Sequence, residues 1–176
     1  MDEALSAEFA ELYRSHYRRV LGLCQRLLGQ PHQAEEAAQE VFVKAYRAID
    51  RYDPAQPFAA WVLRIAGNHC IDLIRRRARE PLGFDEAGTD VAAVADTAGG
   101  AEAALADARD AEAVRAAVDA LPDRYRVPVV LAYFEEASYD DIAARLGITR
   151  NHVGVLLLRA RRALREALAE REVEST

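Results

Sequence analysis

The chain has 176 residues, enough for one mid-sized domain or two small ones. Hydrophobic residues make up 51% and charged residues 30%, which indicates a packed globular protein and excludes an intrinsically disordered one. No apolar run approaches the roughly 20 residues that span a bilayer, and the charged N-terminus lacks the apolar core of a signal peptide. We therefore expect a cytoplasmic protein without membrane insertion.

The net charge of −6 is unevenly distributed along the chain. Residues 80–112 carry nine acids and one base, so the remainder of the chain has a charge of +2. The bases form two clusters, one of Arg75, Arg76, Arg77 and Arg79 and one of Arg150, Arg159, Arg161, Arg162 and Arg165. Local fields rather than net charge govern binding to a polyanion, so the composition does not exclude nucleic acid as a partner.

Three helices are predicted before residue 80. Apolar residues recur at spacings of three and four from about Glu3 to Leu28, and Gly29 and Pro31 separate this helix from the next. The second helix has a continuous apolar stripe of Ala34, Ala37, Ala38, Val41, Phe42, Ala45, Tyr46 and Ile49. The third begins near Pro57 and turns Phe58, Trp61, Val62, Ile65 and Ala66 inward. Cys24 and Cys70 lack metal-ligand or redox spacing and are predicted to be buried thiols.

The segment 80–107 is acidic, rich in Ala and Gly, and has no amphipathic stripe until about Ala104. We interpret it as a flexible linker between two helical domains. Two other interpretations stay open. The segment could lie in a basic channel of a partner, or fold back on the basic clusters and suppress binding to free DNA.

Helices are again predicted after the linker. One runs from about Ala111 to Ala120, and Pro122 suits the first position of a helix that reaches Phe134 with Pro128 inside it. Ser138 is expected to cap a short helix that Gly147 ends in the left-handed conformation. Thr149 then caps the last helix, whose inner stripe is Val153, Leu157, Ala160, Leu164 and Leu168.

The segment from Ser138 to Leu168 is therefore a predicted helix-turn-helix that binds duplex DNA. Such a unit places its second helix in the major groove, with N-terminal residues at base edges. The candidates for base contacts are Arg150, Asn151, His152 and Val155. The candidates for phosphate contacts are Arg159, Arg161 and Arg162. The alternative is a plain helical hairpin with a solvated basic face.

Two further surfaces carry weaker signals. Along one face of the third helix lie Arg64, Asn68, Asp72, Arg75, Arg76 and Arg79, downstream of Trp61, and arginines near aromatic rings suit a strand with unstacked bases. The alternative is a core tryptophan followed by arginines that solvate a helix end. The outer face of the second helix consists of Glu35, Glu36, Gln39 and Glu40. It suits a basic partner, or it is an ordinary solvated face with a Glu40–Lys44 pair.

These stretches together resemble the extracytoplasmic-function sigma factors, the minimal two-domain class of bacterial RNA polymerase sigma factors. The matching stretches are residues 33–42, residues 58–68 with Asp72, Arg75 and Arg76, Leu121 and Pro122 with Arg126, residues 139–147, and residues 159–164. Each is weak alone, but all of them in this order and spacing are highly specific. The resemblance covers nearly everything except the linker.

The resemblance implies that the protein binds core RNA polymerase and directs promoter recognition and transcription initiation. Glu35, Glu36, Gln39 and Glu40 would dock on the clamp helices of the largest polymerase subunit. Trp61, Asn68, Asp72, Arg75 and Arg76 would open the downstream promoter element and hold a flipped base of the non-template single strand. The helix-turn-helix would read the upstream element, and an anti-sigma factor or another stress signal would control the protein.

This sequence departs from the family pattern at two places. Gln33 stands where the family often has an aspartate. Gly154, Val155 and Leu156 stand where its recognition helix usually presents basic and hydroxyl side chains. We therefore expect upstream recognition to depend more on Arg150, Asn151, His152, DNA shape and phosphate contacts. Val155 or Leu158 could instead pack against an anti-sigma protein.

The sequence as a whole predicts an all-α fold of two small helical domains joined by the acidic linker. The predicted boundaries are 1–79 for the promoter-melting domain, 80–107 for the linker and 108–176 for the helix-turn-helix domain. We expect no enzyme activity, cofactor or metal, because the four histidines are scattered and no phosphate loop occurs. Competing interpretations are a stand-alone helix-turn-helix regulator and a sigma-like mimic that sequesters an anti-sigma protein.

Overall fold

The computed structural model describes residues 3–78 and 108–174, and their side chains over 7–78 and 111–170. Every regular element within those ranges is helical, which confirms the predicted all-α class. The helices are α1 (Glu3–Leu28), α2 (Pro31–Arg47), a short 3₁₀ helix (Ile49–Arg51), α3 (Phe58–Arg77), α4 (Ala108–Ala120), α5 (Asp123–Tyr133), α6 (Tyr139–Leu146) and α7 (Arg150–Glu174). None of these helices has both the length and the apolarity that crossing a membrane requires.

The chain divides between Arg79 and Glu80 into two compact units, in agreement with the predicted pair of helical domains. Unit 1 is Met1–Arg79 and unit 2 is Glu80–Thr176. The linker predicted over 80–107 lies outside the described residues, as does the side chain of Arg79.

In unit 1, α1, α2 and α3 pack against one another in pairs. The predicted stripe of α2 is buried from Ala34 to Ala45, whereas Ile49 lies in the 3₁₀ helix because α2 ends at Arg47. Burying an apolar stripe of this kind is the main source of stability for a helix of this length. Cys24 and Cys70 are buried, as predicted.

In unit 2, α7 packs against α4, α5 and α6. The inner stripe of α7 is fully buried at Val153, Leu157 and Ala160. The predicted role of Pro122 is wrong by one residue. Its carbonyl accepts the backbone N–H groups of Tyr125 and Arg126, each at 2.9 Å, so Pro122 precedes the first helical residue and acts as the N-cap.

Candidate functional site

Four polar residues of α2 form an exposed face opposite its buried stripe. They are Glu35, Glu36, Gln39 and Glu40, which we call the acidic face. Within α2 a carboxylate oxygen of Glu36 lies 3.6 Å from the ring of His32, one turn earlier. With three carboxylates and no base among its four members, the face suits a positively charged partner surface.

Behind the acidic face lies a buried histidine that the sequence did not single out. His69 of α3 is 5% exposed, and its Nδ1 lies 2.6 Å from Nζ of Lys44. Its Nε2 lies 3.0 Å from a carboxylate oxygen of Glu40, a close electrostatic contact that lacks hydrogen-bond geometry. Glu40 and Lys44 thus both contact His69. This arrangement links the acidic face to α3.

The environment of His69 makes the stability of unit 1 depend on pH. Burial, and then the nearby Lys44 ammonium, lower the pKa of His69 below its ordinary value of 6.5, against the opposing effect of Glu40. The unfolded chain therefore binds a proton more readily than the folded one. The contribution of His69 is complete above pH 6.5 and is lost as the pH falls from 6.5 through the lower folded pKa.

We therefore expect the free energy of unfolding of unit 1 to fall between pH 7.5 and 5.5. One group can contribute a slope of at most about 1.4 kcal/mol per pH unit. Urea unfolding followed by the fluorescence of Trp61, the one tryptophan in the chain, measures this unit. The variant His69→Asn, whose amide can still accept from Lys44, should show a smaller loss. An equal loss in both proteins would assign the dependence to other groups.

The exposed face of α3 carries the residues predicted to contact melted DNA. Asn68, Asp72, Arg75 and Arg76 are all exposed, as is Arg64 one turn before Asn68. At its C-terminal end Arg77 donates to the carbonyl of Leu28 at 3.0 Å, which ties α3 to the end of α1. The α3 face thus presents basic, amide and carboxylate groups on a helix that is anchored to the core of unit 1.

Trp61 lies near the start of α3 in an aromatic cluster. The sequence predicted Phe58 and Trp61 on the inner side of this helix but did not indicate that Tyr52 joins them. Trp61 is half-buried, with its ring centroid 5.1 Å from that of Tyr52 and 5.5 Å from that of Phe58. The Tyr52 hydroxyl donates to the carbonyl of Gln56 at 2.6 Å and so braces the loop before α3. Trp61 is therefore neither a fully buried core residue nor a free surface ring. Its ring packs on Tyr52 and Phe58, and the side chain keeps partial exposure.

The helix-turn-helix has the predicted capping. Ser138 Oγ accepts from the backbone N–H of Asp141 at 3.1 Å, and Thr149 Oγ1 accepts from that of His152 at 3.2 Å. Gly147 has φ 72° and ψ 31°, the left-handed conformation that favours glycine at a helix C-terminus. These local features fix the turn between α6 and α7.

The start of the motif is held by a buried ion pair that the sequence did not reveal. Arg145 of α6 donates to both carboxylate oxygens of Glu135, at 2.5 and 3.0 Å, and one of its nitrogens lies 3.3 Å from Asp141. The side chains of Arg145 and Glu135 are only 6% and 5% exposed. A bidentate pair at this depth joins the α5–α6 loop to the first helix of the motif.

The predicted base contacts lie at the start of α7. Arg150 and Asn151 are exposed, and His152 and Val155 are half-buried. Gly154 and Leu156 are buried, which removes two of the three unusual positions from any base contact. The exposed or half-buried polar residues at this end are therefore Arg150, Asn151 and His152.

The predicted phosphate contacts differ in their surroundings. Arg159 is exposed, and Arg162 is exposed but pairs with Glu166 at 3.0 Å. Arg161 donates to the hydroxyls of Tyr133, at 2.8 Å, and Tyr139, at 3.3 Å. Arg161 therefore joins α5, α6 and α7, a cross-link that the basic pattern did not indicate.

Comparison with known proteins identifies the two units. A model of Sigma-70 region 2 matches residues 12–80, and a model of Sigma-70, region 4 matches residues 111–164. The ECF RNA polymerase sigma factor SigE of Mycolicibacterium smegmatis is 34% identical over 174 residues, which are 99% of this chain and 66% of SigE. The ECF RNA polymerase sigma factor SigW of Bacillus subtilis is 33% identical over 96% of this chain and 91% of SigW.

Two solved structures share the fold. The sigma factor RpoE, in complex with the anti-sigma factor NepR from Bartonella quintana, aligns with a TM-score of 0.61 at 23% identity, over 92% of this chain and 97% of RpoE. CnrH, in complex with the cytosolic domain of CnrY, aligns with a TM-score of 0.56 at 25% identity, over 94% of this chain and 90% of CnrH. The chain belongs to the ECF RNA polymerase sigma factors, which are non-enzymatic factors of transcription initiation.

Proposed function

We propose that the protein binds core RNA polymerase through unit 1 and places two DNA-reading surfaces on a promoter. The observation that carries this proposal is the α3 face, where Asn68, Asp72, Arg75 and Arg76 are exposed downstream of the half-buried Trp61. A regulator that only binds duplex DNA does not need such a surface in a second domain. The family model that matches residues 12–80 supports the same assignment.

The acidic face of α2 would dock on the clamp helices of the largest polymerase subunit. Its carboxylates are exposed and face away from the buried stripe of α2. Glu40 is also held beside the buried His69, so part of the face is oriented before a partner arrives.

The α3 face would open the downstream promoter element. Arg75 and Arg76 supply cations for the DNA backbone, and Asn68 and Asp72 supply groups that can hydrogen-bond to base edges. A base of the non-template strand that leaves the stack would rest against the Trp61 cluster. In unit 2, Arg150, Asn151, His152 and Val155 would face the upstream element, with Arg159, Arg161 and Arg162 near phosphates.

An anti-sigma factor is the second partner that we propose. Leu158 is 45% exposed on α7, and Val155 is half-buried one turn earlier. A partner could cover these apolar groups. We also place the protein in the cytoplasm, associated with the nucleoid when it is bound to polymerase.

Promoter opening tests the role of Trp61. We expect Trp61→Ala to lower the rate of open-complex formation on duplex promoter DNA by about five- to a hundredfold, since stacking is worth about 1–3 kcal/mol per base. A template with a pre-melted bubble should restore much of the activity, because no opening is required. The measurement is permanganate reactivity of unpaired thymines together with RNA yield.

Trp61→Phe is the matched control, because it keeps an aromatic ring in the cluster. It should retain most of the opening activity. An equal defect of Trp61→Ala on duplex and bubble templates would contradict a role in opening and would indicate a general loss of unit 1.

A further inference from the structure

Arg150, the first predicted base contact, binds a carboxylate of its own helix-turn-helix. We infer that Asp140 competes with DNA for Arg150: it holds Arg150 in the free protein and has to be displaced when Arg150 contacts DNA. The binding free energy of any duplex that engages Arg150 is then reduced by the cost of breaking this pair. This inference rests on the proposed DNA-binding role of unit 2.

The geometry brings the N-termini of α6 and α7 together through these two side chains. Arg150 is the first residue of α7, and its Nη1 lies 2.6 Å from Oδ2 of Asp140, the second residue of α6. The Arg150 guanidinium also lies 5.7 Å from the ring centroid of Tyr139. The side chains of Arg150 and Asp140 are 50% and 71% exposed, so an approaching duplex can reach both.

The electrostatics of the two helices favour this exchange. A carboxylate in the first turn of α6 is stabilised by the helix dipole, whereas a guanidinium in the first turn of α7 is not. Pairing with Asp140 offsets the unfavourable position of Arg150. Helix N-termini also attract phosphate groups, and the Asp140 carboxylate supplies the negative charge that a DNA phosphate would bring to Arg150.

This exchange lowers affinity at correct and incorrect DNA sites alike. At an incorrect site Arg150 leaves one anion, the Asp140 carboxylate, for another, a phosphate. At a correct site Arg150 can bind guanine through two hydrogen bonds, an interaction that discriminates by tenfold or more. Because the pair with Asp140 is broken wherever Arg150 contacts DNA, and Asp140 repels the nearby backbone at both kinds of site, Asp140 lowers affinity at a correct site at least as much as at an incorrect one.

The test measures binding of the full chain to a random-sequence 30-base-pair duplex at low salt. We expect Asp140→Asn to bind about three- to tenfold more tightly than the wild type, from the loss of an exposed pair and of one repulsive charge. Glu170→Gln is the matched control, since it removes the same charge from an exposed site of α7. This site lies about 30 Å along the helix from Arg150. Equal affinities of these two variants would overturn the inference.

A second arm tests whether the gain acts through Arg150. In an Arg150→Ala background, Asp140→Asn should gain less than half as much as it does alone. An undiminished gain would mean that Asp140 acts only through its negative charge and not through Arg150, and it would overturn the inference. On the tightest sequence selected from a randomised duplex pool, Asp140→Asn should gain at least as much as on the random duplex, and a smaller gain would overturn the inference.

Arg150→Ala alone separates this inference from the proposed function. If it weakens duplex binding while Asp140→Asn matches the Glu170→Gln control, the helix-turn-helix binds DNA and only the role of Asp140 is wrong. If Arg150→Ala leaves the affinity unchanged, the start of α7 does not contact DNA, and both the proposed role and the inference fail.

Discussion

Replacing Glu135 by glutamine is expected to lower the free energy of unfolding of unit 2 by about 3 kcal/mol, because it leaves the buried Arg145 guanidinium without its bidentate carboxylate. Arg145 retains the contact with Asp141 at 3.3 Å, which keeps the effect near the lower end for broken buried pairs. Since this pair joins the α5–α6 loop to α6, we expect upstream-element binding to fall with stability. Urea unfolding followed by circular dichroism measures the change.

The position of the single tryptophan makes this experiment specific to one unit. Trp61 lies in unit 1, so its fluorescence transition should stay in place while the circular dichroism signal of unit 2 moves to lower urea. Glu166→Gln, which breaks the exposed Arg162–Glu166 pair, is the matched control and should cost under about 1 kcal/mol. A joint replacement Glu135→Met with Arg145→Leu should recover much of the loss. Similar stability of Glu135→Gln and wild type would contradict the structural role of the pair.

Reversing two charges of the acidic face should cause the largest loss of polymerase binding. The double variant Glu35→Lys with Glu36→Lys turns attraction to a basic surface into repulsion, and truncating a buried charge pair at an interface costs about 2–5 kcal/mol. We therefore expect the affinity for core polymerase to fall by at least a hundredfold. Fluorescence anisotropy of the labelled full chain, titrated with core enzyme in the absence of DNA, measures it.

The control for this double reversal changes the net charge equally at two exposed acids of unit 2. Glu112→Lys with Glu170→Lys should bind core polymerase within about threefold of the wild type at 0.15 M salt, where distant surface charges are largely screened. Loss of affinity in both double variants would indicate a general charge effect and would contradict the assignment of the acidic face.

Features governed by near neighbours in the chain could be predicted well from the sequence. The caps at Ser138 and Thr149 and the left-handed Gly147 depend on residues within four positions, and all three occur as expected. The buried stripe of α2 follows from helical periodicity alone. Local hydrogen bonds and side-chain periodicity leave few alternatives in such stretches.

Pairs that the fold brings together from distant positions could not be predicted. Lys44 meets His69 across 25 positions, and Arg161 meets Tyr133 across 28. The pattern of charges showed that Arg161 is basic and near the outer face of α7, but not that its guanidinium is already hydrogen-bonded inside unit 2. The sequence thus predicts which residues line a surface better than it predicts how many of them remain available to DNA.

The recognition helix α7 has few residues that can reach a base. Because Gly154 and Leu156 are buried, the unusual stretch 154–156 leaves only the half-buried Val155 to reach a base. We therefore expect direct reading to depend on Arg150, Asn151 and His152 at the first turn of α7. A short reading surface fits a motif that acts together with unit 1 on one polymerase, where two modest contacts combine.

The most direct test of sigma function is transcription by core polymerase with this protein on a pool of promoter-length genomic fragments, with sequencing of RNA 5′ ends. We predict discrete start sites that are absent with core enzyme alone and absent when the protein carries Glu35→Lys and Glu36→Lys. Duplex DNA binding by the protein without any start site beyond those of core enzyme alone would contradict the account.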